Sequence, residues 1–164
     1  MVADIKVKAN TIEVTNYIKS LQRKIPSNIQ KGLSQASAYG IQQITDKTQK
    51  GQMPDGGRFR PYSKSARKDR AKRGRQISFV DLTDTGRMFR SLTFKATRNK
   101  ASLFFRRQEE NKKAFFHDTG VGKMTQRPFF AIGRRDEDKI REIFNKAISC
   151  LLYTSDAADE VVSV

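Results

Sequence analysis

One histidine, His117, stands beside Asp118 in "FFHDTG", and the chain has no other histidine. A histidine base needs an orienting group and a nucleophile in reach. The single cysteine, Cys150, lies in a terminal stretch of different composition. The expectation is therefore that His117 packs or hydrogen-bonds at a turn. Asp136, Glu137 and Asp138 are consecutive. On a helix such neighbours point in different directions, so they suit a helix N-terminus better than a metal. "GVGKMT" carries a Gly-Lys pair without the earlier glycine and four-residue spacing of a phosphate loop. No signature supports catalysis, and no cofactor or metal site is expected.

The strongest chemical feature is charge. Residues 58–75 hold nine bases, Arg58, Arg60, Lys64, Arg67, Lys68, Arg70, Lys72, Arg73 and Arg75, and one acid, Asp69. Like charges this dense repel, and only Phe59 and Tyr62 are available as anchors, which predicts a mobile or extended arm within residues 51–76. These nine bases are the expected partner-binding residues. Each would either face acidic surface on a neighbouring protein or neutralise a phosphate. The arm has too few aromatics to stack single-stranded bases.

The whole chain repeats the message. Against 33 Lys and Arg stand 17 Asp and Glu, a net +16. All 33 bases and 14 of the acids precede residue 150, so that part carries +19. No run approaches 18 apolar residues, so no membrane span is predicted. "MVADIKVKAN" lacks the apolar core of a signal peptide. One cysteine cannot form an internal disulfide. The expectation is one soluble, intracellular, basic domain.

Several elements have to position these groups. Ile5 and Val7 alternate with polar residues, a strand pattern. Asn10 with Glu13 reads as a capping box, and Val14, Tyr17, Ile18, Leu21 and Ile25 follow at helical spacing until Pro26. Ser27 with Gln30 starts a second helix, whose face is Ile29, Leu33, Ala36, Gly40 and Ile44, and which reaches about Lys47. Ala36 and Gly40 are small enough for close approach. After the arm, Thr83 or Asp84 caps a short helix bearing Met88, Phe89 and Leu92. "LTFKATR" and "ASLFFRR" flank Asn99-Lys100, a hairpin pattern. A polar loop then leads to "AFFHDTG", a hydrophobic turn ended by Gly120. Phe129, Phe130 and Ile132 precede a last helix with Ile140, Ile143, Phe144 and Ala147 on its apolar face. The sum is α+β, with helices packed on a small antiparallel sheet.

The final fifteen residues stand apart. "CLLYTSDAADE", 150–160, has no base and three acids, and the change falls inside a helical pattern with no stop signal. The string resembles the translation of a transposon-end sequencing adapter. Residues 1–149 are thus read as one domain and 150–164 as an artefactual tail.

The order of motifs resembles the phage virion morphogenesis family, the tail completion proteins, over about residues 3 to 148. The motifs are the long helix ending in Pro54-Asp55-Gly56, Phe59 with Pro61, the basic arm, "TDTGRMFRSL", the hairpin, "FFHDTG" and "RPFFAIG". Phe59 stands where Trp is expected, and Phe where Tyr-Ala is common before the histidine. The resemblance implies a structural protein, not an enzyme, that closes the tail end or joins it to the head as a homo-oligomeric ring. It implies partners among tail or neck proteins and a place in the virion, assembled in the bacterial host cytoplasm. The alternative reading is a nucleic-acid-binding domain whose arm tracks phosphates.

Overall fold

A computed structural model describes residues 11–159 except Lys123, without the side chains of 11–14, Tyr17, Leu21 and 150–159. The elements, in order, are α1 (Thr11–Gln49), α2 (Lys64–Lys72), α3 (Arg87–Ser91), β1 (Leu92–Ala96), β2 (Ala101–Phe105), α4 (Gln108–Thr119) and α5 (Arg134–Asp159). The architecture is α+β, as its sequence pattern indicates. The expected strand around Ile5 and Val7, and the cap at Asn10, lie outside the described residues.

α1 is one helix of 39 residues where the sequence predicts two. Pro26 sits inside it. Proline deletes one backbone donor and usually ends a helix. Here the Ser27 hydroxyl donates back to the Lys24 carbonyl at 2.8 Å, so the expected cap serves the helix interior instead. Ile18 and Ile25, on the N-terminal half, remain 48% and 42% exposed.

The C-terminal half of α1 is held by α5 and the hairpin. A methyl group at Gly32 would meet Phe144 and Ala147, and one at Gly40 would meet Ile132, Leu103 and Ile140. Contacts ascend one helix as they descend the other, so α1 and α5 run antiparallel. Buried Ala36 lies between, and this four-residue spacing of small side chains lets the helices approach. Lys47 and Asp136 close the far end of the pair at 2.5 Å. Asp136 is buried, so the acidic start of α5 includes an ion pair as well as a favourable helix dipole.

β1 and β2 pair antiparallel from Leu92↔Phe105 to Ala96↔Ala101, the register expected of a hairpin across Asn99-Lys100. Gln30 on α1 donates to the Ala96 carbonyl, tying the sheet to the helix. The core gathers Ile44, Phe59, Val80, Leu82, Met88, Phe89, Leu92, Phe105, Ala114 and Phe129. Phe129 is 1% exposed and meets Phe89 edge-on at 6.0 Å. Burying a ring this fully stabilises by roughly 1.5–3 kcal/mol, with about 0.5–1.5 more for each well-placed aromatic pair.

Two short elements differ from expectation. The stretch after β2 is not a polar loop; it opens α4, which runs through "AFFHDT" to Gly120. Glu109 and Glu110 in its first turn favour the helix start. α3 is not capped by Thr83 or Asp84. Its cap is Gly86, and Asp84 is taken by arginines of the basic segment. Among the described residues, no helix is long and apolar enough to cross a membrane.

Candidate partner interface: the basic segment and its anchor

The basic segment leaves α1 through a tight turn. Met53 N donates to Gly57 O at 2.6 Å, and Gly57 N donates to Asp55 Oδ1 at 3.0 Å. Gln52 bridges to Arg58, and Phe59 N donates to Gly51 O. This return of the chain drives Phe59 into the core, where it is 6% exposed. Of the two expected anchors, Phe59 is therefore fully engaged, and Tyr62 is the second.

Tyr62 lies between two guanidinium groups. Arg70 sits over its ring at 4.5 Å and Arg127 at 5.4 Å. Its hydroxyl donates to Asp81 Oδ1 at 3.0 Å. The same oxygen accepts from Arg70 Nη2 at 2.8 Å and Thr83 N at 3.1 Å. Arg70 also donates to the carbonyls of Gln76 and Thr83. Burial, then the Asp81 charge, pushes the Tyr62 phenol up to about 12, so it stays a neutral donor at physiological pH. Arg127 is 6% exposed and bonds only carbonyls, those of Arg60, Pro61 and Thr125. It thereby fastens the entry of the basic segment to the loop before Phe129.

The expectation of a mobile or extended arm needs correction over residues 64–72. Residues 64–72 are helical. Ser63 caps them, its hydroxyl accepting from Ala66 N at 3.2 Å. Arg70 is buried and structural, not available to a partner. Arg73 and Arg75 both pair with Asp84, at 2.8 and 3.2 Å. The acids that hold the segment lie at 81 and 84, beyond the run that contains the bases, so counting charges within the run misses them. Asp81 and Arg127 are the residues sequence reasoning overlooked. The signals for them were an acid in the otherwise apolar "FVDL" and an arginine fixed ahead of Pro128.

Six of the nine predicted residues remain. Arg58, Arg60, Lys64, Arg67, Lys68 and Lys72 are exposed. None makes an ion pair among the described residues. At 100° per residue, Lys64, Lys68 and Lys72 fall on one side of α2, away from buried Arg70, with Arg67 between the two sides. Beside them a groove of about 480 Å³ is lined by apolar Phe59, Ile77, Phe79 and Val80 and by the cations Lys50, Arg58 and Arg67. Ile77 and Phe79 stay 41% and 39% exposed. Cations and apolar side chains lining one groove suit a partner segment that brings acids around a hydrophobic anchor.

The histidine and its neighbour have separate structural tasks. Asp118 Oδ1 accepts from Phe129 N at 2.9 Å and Phe130 N at 3.0 Å, fixing the "RPFF" turn. His117 Nδ1 is buried without a hydrogen-bond partner among the described residues, and the His117 carbonyl accepts from Arg127 N. Burial, then the Arg127 charge, lowers the His117 pKa. Gly120 ends α4 at φ +71°, where a methyl group would meet the Gln126 backbone at 2.8 Å. "FFHDTG" is thus a clamp between α4 and the aromatic core. Lys123, of the Gly-Lys pair, lies outside the described residues.

A sequence profile of the phage virion morphogenesis family matches residues 9–149. The chain belongs to that family. Its place in phage virion assembly follows, and the ordered motifs of the family are now seen as structural parts. Pro54-Asp55-Gly56 makes the turn, Phe59 and Tyr62 anchor the segment, and "HDTG" and "RPFF" lock together. No curated protein and no solved structure matches the chain.

Proposed function

We propose that this protein acts in tail completion or head–tail joining, as a structural and non-enzymatic component that forms a ring of identical subunits. It docks other tail or neck proteins through the basic segment, joins the virion and is assembled there in the host cytoplasm. The observation that carries this reading is the set of six exposed cations that have no carboxylate partner among the described residues, beside a groove with apolar lining residues. Three of the nine bases are neutralised within the chain; of the other six, Lys64, Arg67, Lys68 and Lys72 are exposed on a helix that Arg70, Tyr62 and Asp81 fix, and Arg58 and Arg60 precede it. A pre-positioned charged face favours fast, register-specific docking, because little ordering remains to be done on binding.

A ring also requires contact between copies. Phe115, Phe116, Val121 and Met124 are 40–54% exposed near the end of α4, an apolar surface that suits such a contact. Light scattering on the eluting protein, at low and high salt, tests the ring. A closed oligomer that survives high salt is expected, since apolar contacts are not screened. A monomer at every salt concentration that still joins no particle would refute the reading. DNA binding through α2 is the second reading, favoured by the same unpaired cations, and binding that vanishes when α2 alone is neutralised would support it.

A further inference from the structure

A second cationic site lies outside the basic segment. Arg87, Arg90, Arg106 and Arg107 line a concavity of about 480 Å³ with Ser91. Arg87 and Arg90 are three apart on α3, hence on one side. Arg106 and Arg107 follow the end of β2. The two pairs are brought together by the Arg106 amide, which donates to the Ser91 carbonyl at 2.8 Å and carries the hairpin edge onto the end of α3. Ser91 is spent internally, its hydroxyl donating to Met88 O.

One of the four arginines is positioned by a glycine. Gly86 has φ +71°, and a methyl group there would lie 2.7 Å from Arg90 Nη1. Its absence leaves room for the Arg90 guanidinium, whose Nη2 donates to the Thr85 carbonyl at 2.7 Å. The other three guanidiniums have no carboxylate partner among the described residues. No acid lines the concavity. Glu110, in the next turn, is buried and paired with Lys113.

We infer that this concavity is a phosphate-binding site for the backbone of double-stranded DNA. Guanidinium forks match phosphate oxygens with paired hydrogen bonds, and all four cations are arginine, not lysine. Cavities of this size hold small ligands, so a phosphodiester with its sugar fits. Every lining residue is polar or charged. Protein interfaces gather aromatic and apolar groups at their centre, whereas DNA interfaces are polar and strongly positive. The site therefore differs in kind from the groove beside α2, which Phe59, Ile77, Phe79 and Val80 help to line. Division of labour follows: the basic segment meets protein and the arginine concavity meets the nucleic acid.

The test is fluorescence anisotropy of a labelled duplex of about 25 base pairs, titrated between about 50 and 200 mM salt. The full chain is compared with Arg87→Gln/Arg106→Gln/Arg107→Gln and with Lys64→Gln/Lys68→Gln/Lys72→Gln. Both triples remove three charges, so the long-range field falls equally and only the local contact differs. The arginine triple is expected to weaken binding at least ten-fold and to reduce the slope of log K against log salt by about 2 to 3, near 0.9 per lost phosphate contact. The lysine triple should change binding less than three-fold. Arg107→Gln alone should give about a third of the slope loss, so the answer does not hang on the triple variant's folding. Equal losses in both triples would overturn the inference, as would no loss in either. So would poly-glutamate displacing the duplex as well as unlabelled duplex does at equal charge, because the site would then be for acidic protein.

Discussion

Arg70 belongs to the same run of bases as Lys68, yet the two should behave differently on truncation. Arg70→Ala removes three hydrogen bonds from a guanidinium that is 6% exposed, and uncovers Tyr62. Asp81 keeps the Tyr62 hydroxyl and Thr83 N but loses its counter-charge while its side chain is only 14% exposed. Breaking a buried pair by removing one partner costs about 3–5 kcal/mol when the remaining charge is sealed off. Asp81 is partly wet and keeps two donors, so about 2–4 kcal/mol is expected. In a chain of this size each kcal/mol moves the melting temperature by about 2–4 °C, which gives a drop of roughly 4–16 °C. Lys68→Ala, on the exposed side, should stay within about 0.5 kcal/mol of the parent. Thermal melts followed by circular dichroism measure both. A double-mutant cycle with Asp81→Ala should return a coupling above about 1 kcal/mol. Equal melting of the Arg70 and Lys68 variants, or additive effects in the cycle, would refute the claim that Arg70 pins the basic segment.

Other outcomes follow from single features of the fold. Gly120→Ala should cost more than about 2 kcal/mol in urea unfolding, because left-handed backbone strain adds to a clash with the Gln126 backbone; a neutral result would show the clamp to be slack. His117 has a folded pKa below its unfolded value near 6.5, so the unfolded chain takes up the proton first. Stability from neutral His117 is thus full above pH 6.5 and falls as pH drops below it, and His117→Asn should flatten that part of the pH–stability curve. Truncation after Ser149 should leave the melting temperature within about 3 °C, roughly 1 kcal/mol, because the described α1–α5 packing at Gly32, Gly40, Phe144 and Ala147 lies before that point. A larger loss would show that the last fifteen residues belong to the domain.

Where side chains repeat with a regular period, the sequence was read well. The face Ala36, Gly40 and Ile44, the hairpin around Asn99-Lys100 and the apolar strip Ile140–Ala147 all lie where periodicity puts them. Local signals that tertiary contacts override were read less well. Pro26 normally ends a helix, but α1 continues through it. Acidic and basic residues from 106 to 113 read as a loop, whereas buried Ala114 and Glu110 make that stretch the first half of α4. The candidate interface was legible in composition and not in geometry. Nine bases announced it, but which three are spent inside the molecule depends on Asp81 and Asp84, and no rule of spacing pairs them with Arg70, Arg73 and Arg75. The concavity of Arg87, Arg90, Arg106 and Arg107 was hidden because its halves lie before and after the hairpin in sequence and meet only when the strands pair.

Complementation of a phage lacking this gene tests the central claim most directly. The variant Lys64→Gln/Arg67→Gln/Lys68→Gln/Lys72→Gln removes the outward face of α2 and leaves Arg70, Tyr62 and Asp81 in place. It should melt within about 0.5 kcal/mol of the parent, because solvated charges contribute little to folding and glutamine is a good helix former. Infectious particles should nevertheless fall by at least ten-fold, with the variant missing from purified virions. Normal titres, with the variant present in virions at the parent's level, would contradict the account.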